Sequence, residues 1–318
     1  MAGTLTWLGH ASFRIGTPGG KRVYVDPWLE NPKCPPAEKD PARVDLIALT
    51  HGHADHVGET VELARRFGCP VVALVELRAW LVKQGLPEDM SQAPNKGGTV
   101  EIEGIRITLT DANHSSSSPD GEYLGEPAGL VIALEDGTPL YFAGDTNVFG
   151  DMQLIGRIYR PQVAVLPIGD HFTMGPREAA VALELLGAPR CVPCHWGTFP
   201  ILTGTPQALR ELAPAGVEIL DLEPGGYLCV VASAGWERAS GGCRRSRSRE
   251  SSSCRRTRSS SAAWRTWPRC GRPTTKGGRW SCRPRRPTGC GRLSLALRCP
   301  ASSCPRGGAI SWSSTSLP

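Results

Sequence analysis

The sequence predicts an α+β fold: a four-layer αββα sandwich in which two mixed β-sheets pack face to face and helices cover both outer sides. Short segments of alternating or continuous apolar character fall into two meandering groups, which is typical of strands. Each group is followed by segments with helical periodicity, and glycine or proline marks the junctions. Sheets and helices in this order bury their apolar faces as stacked layers.

In the first part of the chain, strands and helices alternate. The predicted strands are residues 4–8, 11–15, 22–25, 45–50 and 71–74, and the predicted helices are residues 55–67 and 76–84. The helix at 55–67 depends on apolar residues that recur at helical spacing until Gly68 and Pro70 end it.

The second part of the chain also contains strands followed by helices. Two of its strand pairs form hairpins, which turn at Gly104 and at Asp136-Gly137. The predicted strands are residues 99–103, 105–111, 130–135, 140–143, 163–167, 190–195, 217–221 and 227–231, and the predicted helices are residues 151–158, 176–186 and 206–212.

Charge divides the 318 residues into two parts. Residues 1–234 hold 17 basic and 28 acidic residues, a formal charge of −11, and have the apolar content of one globular domain. Residues 235–318 hold 19 basic and 2 acidic residues, a formal charge of +17, and this part alone makes the whole chain +6. The acidic domain lacks the excess of positive charge that is typical of nucleic-acid binding.

The basic part, residues 235–318, is rich in Arg, Ser, Pro and Cys and is too poor in apolar residues to bury a core. Its segment 241–261 looks like an arginine/serine segment that binds RNA. Two interpretations stay open: a frameshift or read-through product of GC-rich coding DNA, or a disordered basic interaction tail. We expect the globular domain to occupy residues 1–234 under either interpretation.

Seven of the twelve cysteines lie in the basic part, and the other five are scattered. This usage is typical of reduced cysteines in a cytoplasmic protein, and no signal peptide or membrane-spanning apolar run is apparent. Cys191 and Cys194 form a Cys-x-x-Cys pair. Their spacing places them on opposite faces of a strand, so we predict buried cysteines rather than a redox or zinc motif.

The strongest chemical signal is the run His51-Gly-His53-Ala-Asp55-His56 at the end of an apolar strand. Residues i and i+2 of an extended segment point the same way, so His51 and His53 can bind one ion. Asp55 and His56 face a second ion from the start of a helix. Imidazole and carboxylate donors without thiolate indicate a catalytic rather than a closed structural site, with zinc favoured and manganese, iron or nickel open.

This run resembles the His-x-His-x-Asp-His signature of the metallo-β-lactamase superfamily. Members of that superfamily supply three further ligands from later strand ends, and His114, Asp145 and His195 stand at such positions here. The resemblance implies seven metal ligands: His51, His53, Asp55, His56, His114, Asp145 and His195.

The resemblance also implies a mechanism with two divalent transition metal ions. His51, His53 and His114 would hold metal 1, Asp55, His56 and His195 would hold metal 2, and Asp145 would bridge both. A metal-bridging hydroxide would attack the substrate, and Asp55 is a candidate to orient it.

Residues 7–13 and 25–28 resemble a narrower group of uncharacterised metal-dependent hydrolases related to L-ascorbate-6-phosphate lactonase and, more distantly, to N-acylphosphatidylethanolamine phospholipase D. The resemblance implies that His10 and Asp26 support the metal site. The alternative is that His10 belongs to a turn and that Asp26 caps one.

Three loops are candidates for the substrate site. His171 is the candidate proton donor to the leaving group, or else an exposed loop histidine, and Phe172 and Met174 are candidates for the pocket wall. The serine run 115–118 offers hydroxyls to substrate oxygens, or is only a solvated loop. The loop 95–98 is similar to one in the narrower group and is expected to border the pocket.

We therefore predict a binuclear hydrolase of a small anionic ester, of the phosphodiester or sugar-phosphate lactone class. The alternatives are a thioester or other acyl hydrolase of the same fold, and a non-catalytic metal-binding or sensor protein, which an incomplete ligand set would favour. The expected partner is a small-molecule substrate, with no membrane and no nucleic acid at the acidic domain. A homo-oligomer stays open.

Overall fold

The structure is a computed structural model that describes residues 2–231. The proposed boundary at residue 234 and both interpretations of residues 235–318 lie outside the described residues.

The first sheet is mixed and contains the chain's first six strands and its last described one. They are β1 (Gly3–Trp7), β2 (Phe13–Gly16), β3 (Arg22–Val25), β4 (Leu46–Ala48), β5 (Val71–Val72), β6 (Ser91–Gln92) and β14 (Tyr227–Val230). Their order across the sheet is β14-β1-β2-β3-β4-β5-β6. The pairs from β14 to β3 are antiparallel and those from β3 to β6 are parallel.

The second sheet has the same number of strands and the same mixture of pairings. Its strands are β7 (Thr99–Ile102), β8 (Ile105–Asp111), β9 (Ala128–Ala133), β10 (Pro139–Phe142), β11 (Val163–Pro167), β12 (Arg190–Cys194) and β13 (Glu218–Ile219). They lie in the order β13-β12-β11-β10-β9-β8-β7. The pairs from β7 to β10 are antiparallel, and the pairs from β10 to β13 are parallel.

Helices cover both outer sides. They are α1 (Ala54–Val57), α2 (Thr60–Phe67), α3 (Val75–Lys83), α4 (Met152–Tyr159), α5 (Pro176–Leu186) and α6 (Pro206–Leu212), and two short 3-10 turns lie at Pro36–Glu38 and Glu88–Met90. Helix α2 packs on β4, whereas α5 packs on β11 and α6 on β13. The predicted αββα sandwich is confirmed.

Alternation along the strands assigns side chains to two cores. On β10, Leu140 and Phe142 belong to the core that joins the sheets, while Tyr141 between them belongs to the core under the outer helices. Phe13 of the first sheet meets Phe142 of the second edge to face, with ring centroids 5.6 Å apart. Period-two alternation therefore places every second residue between the sheets.

The predicted single helix at 55–67 is wrong, because the structure has two helices separated at Gly58. Gly58 has φ 42° and ψ −128°, which an L-residue with a side chain disfavours. A Cβ there would lie 2.3 Å from the carbonyl oxygen of Pro27 and 2.4 Å from Cα of Trp28. The chain passes so close to this loop that only glycine fits.

Smaller differences occur at element ends and in one short strand. Strand β2 begins at Phe13 rather than at residue 11, because a turn closed by Ser12 N and the oxygen of Gly9 extends that far. Strand β6 was not predicted, since Ser91 and Gln92 lack an apolar pattern. Within residues 2–231 no helix combines the length and apolar character needed to cross a bilayer.

Candidate active site

Seven strands end at the edge of the sandwich where the candidate site lies. In the first sheet β3 and β4 are parallel, and β1 shares their direction because two antiparallel pairings separate it from β3. In the second sheet β10, β11 and β12 are parallel, and β8 shares their direction for the same reason. The segments after these strands carry His10, Asp26, residues 51–56, His114, Asp145, residues 168–175 and His195.

Five of these residues adopt a left-handed backbone although none is glycine, and three of the five, His10, Asp26 and His195, belong to or contact the donors. The φ values are 50° for His10, 46° for Asp26 and 54° for His195. Such a conformation costs on the order of 1 kcal/mol per residue, and it persists where the surroundings fix it. The amide of His195 donates to the carbonyl oxygen of His10 at 2.9 Å, and this hydrogen bond stabilises the backbone at both residues.

The first group of donors is His51, His53 and His114, whose nearest ligand atoms lie within 4.8 Å of one another. Nε2 of His51 and Nδ1 of His53 are 3.0 Å apart. Nε2 of His53 points the other way, 3.3 Å from Oγ of Ser115. His53 thus offers Nδ1 to the group, and an ion bound there would leave the ring proton on Nε2, facing Ser115.

The second group contains Asp55, His56 and His195, together with His10. Oδ2 of Asp55 lies 3.9 Å from Nε2 of His56 and 3.8 Å from Nε2 of His195. The two histidines are buried, and Asp55 is partly exposed towards the cavity.

Asp145 lies between the two groups. Its Oδ2 is 4.0 Å from Nε2 of His51 and 3.6 Å from Nε2 of His114 on one side. On the other side it is 3.3 Å from Nε2 of His56 and 3.1 Å from Nε2 of His195. One carboxylate oxygen thus faces histidines of both groups.

These donors fit divalent metal ions. Nε2 of His56 and Oδ1 of Asp145 are buried and have no hydrogen-bond partner among the described residues, although buried polar atoms are normally satisfied. Imidazole nitrogen and carboxylate oxygen are ligands that zinc, manganese, iron and nickel accept. The structure brings all seven predicted ligands together.

A buried hydrogen-bond network fixes the ring orientation of one histidine in each group. Asp26 Oδ2 accepts from Nδ1 of His56 at 2.7 Å and from Oγ1 of Thr50 at 2.6 Å, and Asp26 Oδ1 accepts from N of Thr50 at 2.8 Å. Because the Thr50 hydroxyl donates to Asp26, its oxygen accepts from Nδ1 of His51, 3.0 Å away. Both histidines therefore keep Nε2 free for a ligand bond.

His10 supports the second group. Its Nε2 is 3.0 Å from Oδ2 of Asp55, and its Nδ1 is 2.9 Å from Oγ1 of Thr198. The His10 ring also lies 4.0 Å from the ring of His195, centroid to centroid. Burial lowers the pKa of His10 to about 4, against the opposing effect of Asp55. His10 thus contacts Asp55 as a neutral ring.

The electrostatics of the two groups differ. Burial lowers the pKa values of the first group, His51, His53 and His114. Burial alone would also lower the pKa of His195, but the charge of Asp145 and hydrogen bonds to Asp145 and Asp55 raise it to about 9. The pKa of Asp145 falls well below its usual range despite its burial, because His195 and His56 are close.

A cavity of about 380 Å³ opens over the donors. Five of the predicted ligands line it, namely His53, Asp55, His114, Asp145 and His195, with Ser115, Phe172 and Phe199. We name it the metal cavity. Phe172 is 53% exposed and Phe199 37%, so both rings remain accessible.

The structure places His171 at the rim rather than in the metal cavity wall. It is exposed, has φ 57°, and its ring meets Phe172 edge to face at 4.5 Å between centroids. Met174, proposed as pocket wall, is buried in the core under the outer helices. Residues 95–98 do not appear in the wall of the metal cavity.

The residues of the serine run support loops and line a cavity. Oγ of the buried Ser116 accepts from N of Gly52 at 3.1 Å and supports the metal loop, and Ser118 accepts from N of Glu122 within a turn. Ser115, Ser116 and Ser117 all line a second cavity, of about 550 Å³, which we name the serine trough. The trough shares Ser115 and His114 with the metal cavity.

Sequence reasoning missed Thr50, Thr198 and Phe199. Thr50 is the last residue before the metal loop, and the other two follow His195 in an irregular segment. No spacing rule marks them, because their partners Asp26, His10 and the metal cavity are distant in sequence.

Known proteins are similar to this chain over the residues that form the site. Residues 21–196, more than half of the chain, match the family model described as a beta-lactamase superfamily domain. That match includes all seven predicted ligands. The chain belongs to the metallo-β-lactamase superfamily. Curated relatives described as UPF0173 metal-dependent hydrolases are 49% identical over 230 residues in Herpetosiphon aurantiacus and 46% identical over 232 residues in Roseiflexus castenholzii. Each alignment covers 70% of this chain and 95% of the relative.

Two solved structures are similar to this chain. A metallo hydrolase from the archaeon Ignicoccus hospitalis is 33% identical with a TM-score of 0.64, covering 73% of this chain and 100% of that one. An isothiocyanate hydrolase from Delia radicum gut bacteria is 25% identical with a TM-score of 0.58, covering 72% and 100%. This metallo-β-lactamase superfamily member is a metal-dependent hydrolase.

Proposed function

We propose that the protein is a binuclear metal-dependent hydrolase of small esters. The observation that carries the proposal is the position of Asp145, whose Oδ2 lies 3.1–4.0 Å from Nε2 of two histidines in each donor group. A bridging carboxylate between two imidazole-rich groups suits a pair of divalent ions, with zinc favoured and manganese, iron or nickel open. The complete donor set favours this function over a non-catalytic sensor.

Each ligand has a proposed role. His51, His53 and His114 would hold one ion and Asp55, His56 and His195 the other, with Asp145 shared. The two ions, when bound, would supply a hydroxide nucleophile near neutral pH and polarise the substrate.

The chain's own groups would position the reactants. Asp55 is held by His10, so its carboxylate has a fixed direction towards the metal cavity and is the proposed group that orients the nucleophile. Phe172 and Phe199 add apolar surface to the cavity wall. His171 is the proposed proton donor to the leaving group from the rim, where it lies next to Phe172.

The cavities favour one member of the anionic ester class. Among the described residues, no Lys or Arg lines the metal cavity or the serine trough. A phosphodiester carries its charge at the reacting phosphorus, where the metal ligands lie. A sugar-phosphate lactone would place its phosphate away from the metals, without a cationic partner. We therefore propose a phosphodiester as the first substrate class.

An uncharged acyl-type electrophile is the second candidate. The exposed rings of Phe172 and Phe199 beside the donors favour an apolar substituent. The similar structure named isothiocyanate hydrolase acts, by its name, on an uncharged electrophile of this kind. Thioesters and lactones fall in the same class.

The test is metal content per chain combined with turnover of a matched panel: a phosphodiester, a carboxylic ester, a thioester and an isothiocyanate. We expect about two ions per chain and metal-dependent turnover of one class. Asp145→Asn should lose ions and turnover together, whereas Asp151→Asn, at the exposed start of α4, should change neither. A wild-type chain that cannot be loaded with any transition metal would contradict the proposal.

A further inference from the structure

The metal cavity and the serine trough are adjacent. They share His114 and Ser115, so the trough begins where the metal ligands end. Their volumes of about 380 and 550 Å³ each lie in the range of small-molecule sites. A substrate that reaches the donors can therefore extend in two directions.

The two directions differ in chemistry. Phe199 lies beside the second donor group, with its ring 5.7 Å from His10 and 6.2 Å from Trp28 between centroids. Phe172 faces the same cavity from the loop after β11. Both rings are accessible, so this side offers two aromatic surfaces to an apolar group.

The opposite side, next to the first donor group, offers hydroxyls. Ser115 Oγ lies 3.3 Å from Nε2 of His53. When Nδ1 of His53 binds an ion, Nε2 carries the ring proton and donates it to Ser115, which leaves the Ser115 hydroxyl proton to donate into the trough. Ser117 and Tyr123 line the trough further out and pair with each other across a β-bridge.

The charged groups of the trough wall disfavour binding of a second anion there. Its wall contains the carboxylate of Glu126, which pairs with Lys96 at 2.9 Å, and among the described residues no cationic side chain lines it. An anionic group placed there would find no cationic partner in the wall, because Lys96 is already paired with Glu126 and does not line the trough.

We infer that the substrate spans both cavities, with an apolar group between Phe172 and Phe199 and an uncharged hydrogen-bond acceptor in the serine trough beside Ser115. This inference rests on the proposed function, because the reacting group lies over the metal ligands between the two ends.

Phosphonates test the aromatic end, since they place one anion at the metal centre and carry a variable substituent. The probes are methylphosphonate and benzylphosphonate, measured by titration calorimetry on the full-length metal-loaded protein. We expect benzylphosphonate to bind about tenfold tighter, and the ratio to fall towards one in Phe172→Ala and Phe199→Ala. Leu212→Ala, which removes an equally exposed apolar side chain on α6, should leave the ratio unchanged.

The trough is tested with 3-phosphonopropionamide and 3-phosphonopropionate, which differ in one distal charge. We expect the amide to bind about tenfold tighter, and Glu126→Gln to narrow that difference. Tyr123→Ala should weaken amide binding a few-fold, roughly one hydrogen bond. Tyr227→Ala, a similarly exposed tyrosine on β14, is the matched control.

Metal content, measured on every variant, distinguishes failure of this inference from failure of the proposed function. Normal metal content and methylphosphonate binding, with a benzyl-to-methyl ratio near one or equal affinity for amide and carboxylate, would overturn this inference alone. A wild-type protein that holds no metal, or that holds metal and binds none of the phosphonates, would overturn the proposed function and this inference with it.

Discussion

Asp26 contacts neither cavity, yet its carboxylate accepts hydrogen bonds that orient histidines of both donor groups. His56 donates to it directly, and His51 reaches it through the hydroxyl of Thr50. Burial alone would lower the pKa of His56, but Asp145, Asp26 and Asp55 together raise it well above its ordinary value. One buried carboxylate thus determines which nitrogen each ring presents.

We expect Asp26→Asn to weaken metal binding about 10- to 100-fold, because an amide cannot accept from all three donors and removes the charge beside His56. Chelator competition with metal analysis measures this. Asp89→Asn, at an exposed turn, is the control. Unchanged metal affinity in Asp26→Asn would show that the network does not position the ligands.

His195 gives a pH prediction. Its pKa of about 9 in the metal-free protein, raised by Asp145 against the effect of burial, means that the ring is protonated at pH 7. The stabilisation from this proton is fully present below the unfolded pKa of roughly 6.5 and is lost as pH rises through about 9. A metal requires the neutral ring, so loading should release protons and metal affinity should increase from pH 7 to 9.

Calorimetry of metal binding in buffers with different ionisation enthalpies counts those protons. His171→Gln should not alter the count, because His171 is exposed and outside the donor groups. A metal affinity that does not change between pH 7 and 9 would contradict the raised pKa of His195.

At this scale the sequence predicts donors better than their supports. His51, His53 and Asp55 are marked by spacing alone, since strand periodicity and a helix start decide where they point. Asp26 and His10 are indicated only by resemblance. Thr50 and Thr198 are not marked at all, because a hydroxyl's role depends on which distant acceptor the fold brings to it.

Among the elements, the break between α1 and α2 is the one that the metal loop depends on. It ends α1 just after Asp55 and His56, which belong to the second donor group, and lets the chain pass Pro27 and Trp28 at Gly58. Helical periodicity runs through this position, so the sequence predicts a continuous helix. The break follows from tertiary contact, which periodicity does not encode.

Gly58→Ala should destabilise the protein by about 3 kcal/mol and reduce metal content, because the new Cβ collides with backbone atoms of the neighbouring loop. The matched control is Gly68→Ala at the end of α2. It has φ 60° but no atom within 4 Å of the added Cβ, so it should cost only about 1 kcal/mol. Denaturant unfolding of both variants measures the difference. Equal losses would mean that backbone conformation, not contact, explains Gly58.

Strands were predictable to within a few residues where they are long and apolar. Strand β8 matches its predicted range of Ile105–Asp111, because alternation and the Gly104 turn mark both ends. Strand β6 carries too few residues for any period to be visible, whereas β13 lies inside the predicted strand at residues 217–221 and is shorter than predicted. Their pairing is decided by the neighbouring strand rather than by their own side chains.

For the whole molecule, the division of charge yields a prediction. A chain ending at Ala234 should keep its metal content and its melting temperature, because all seven predicted ligands and the cores described lie before that residue. Its formal charge changes from +6 to −11, so salt-sensitive retention on heparin should be lost. Metal analysis, thermal unfolding and a salt gradient measure these outcomes. Loss of metal from the shortened chain would contradict the placement of the domain within residues 1–234.

The layer architecture was predictable because it needs only the order of apolar segments. The direction of the seven strands that end at the site follows from their pairings, which distant segments decide together. The substrate cavities depend on how loops from both sheets approach each other. For that reason Phe172 was foreseen as a wall residue and Phe199 was not.

The pairing of β1 with β14 has a mechanical consequence. Gly3 faces Val230 at one end of an antiparallel ladder, so the described chain begins and ends as neighbours in the first sheet. Force applied between these two residues would load the ladder one hydrogen bond at a time, from Gly3 towards Thr6, instead of shearing all of them together. When the protein is pulled from these points, the hydrogen bonds between β1 and β14 break one after another at low force. The edge strand β14 therefore detaches before the force reaches the buried layers.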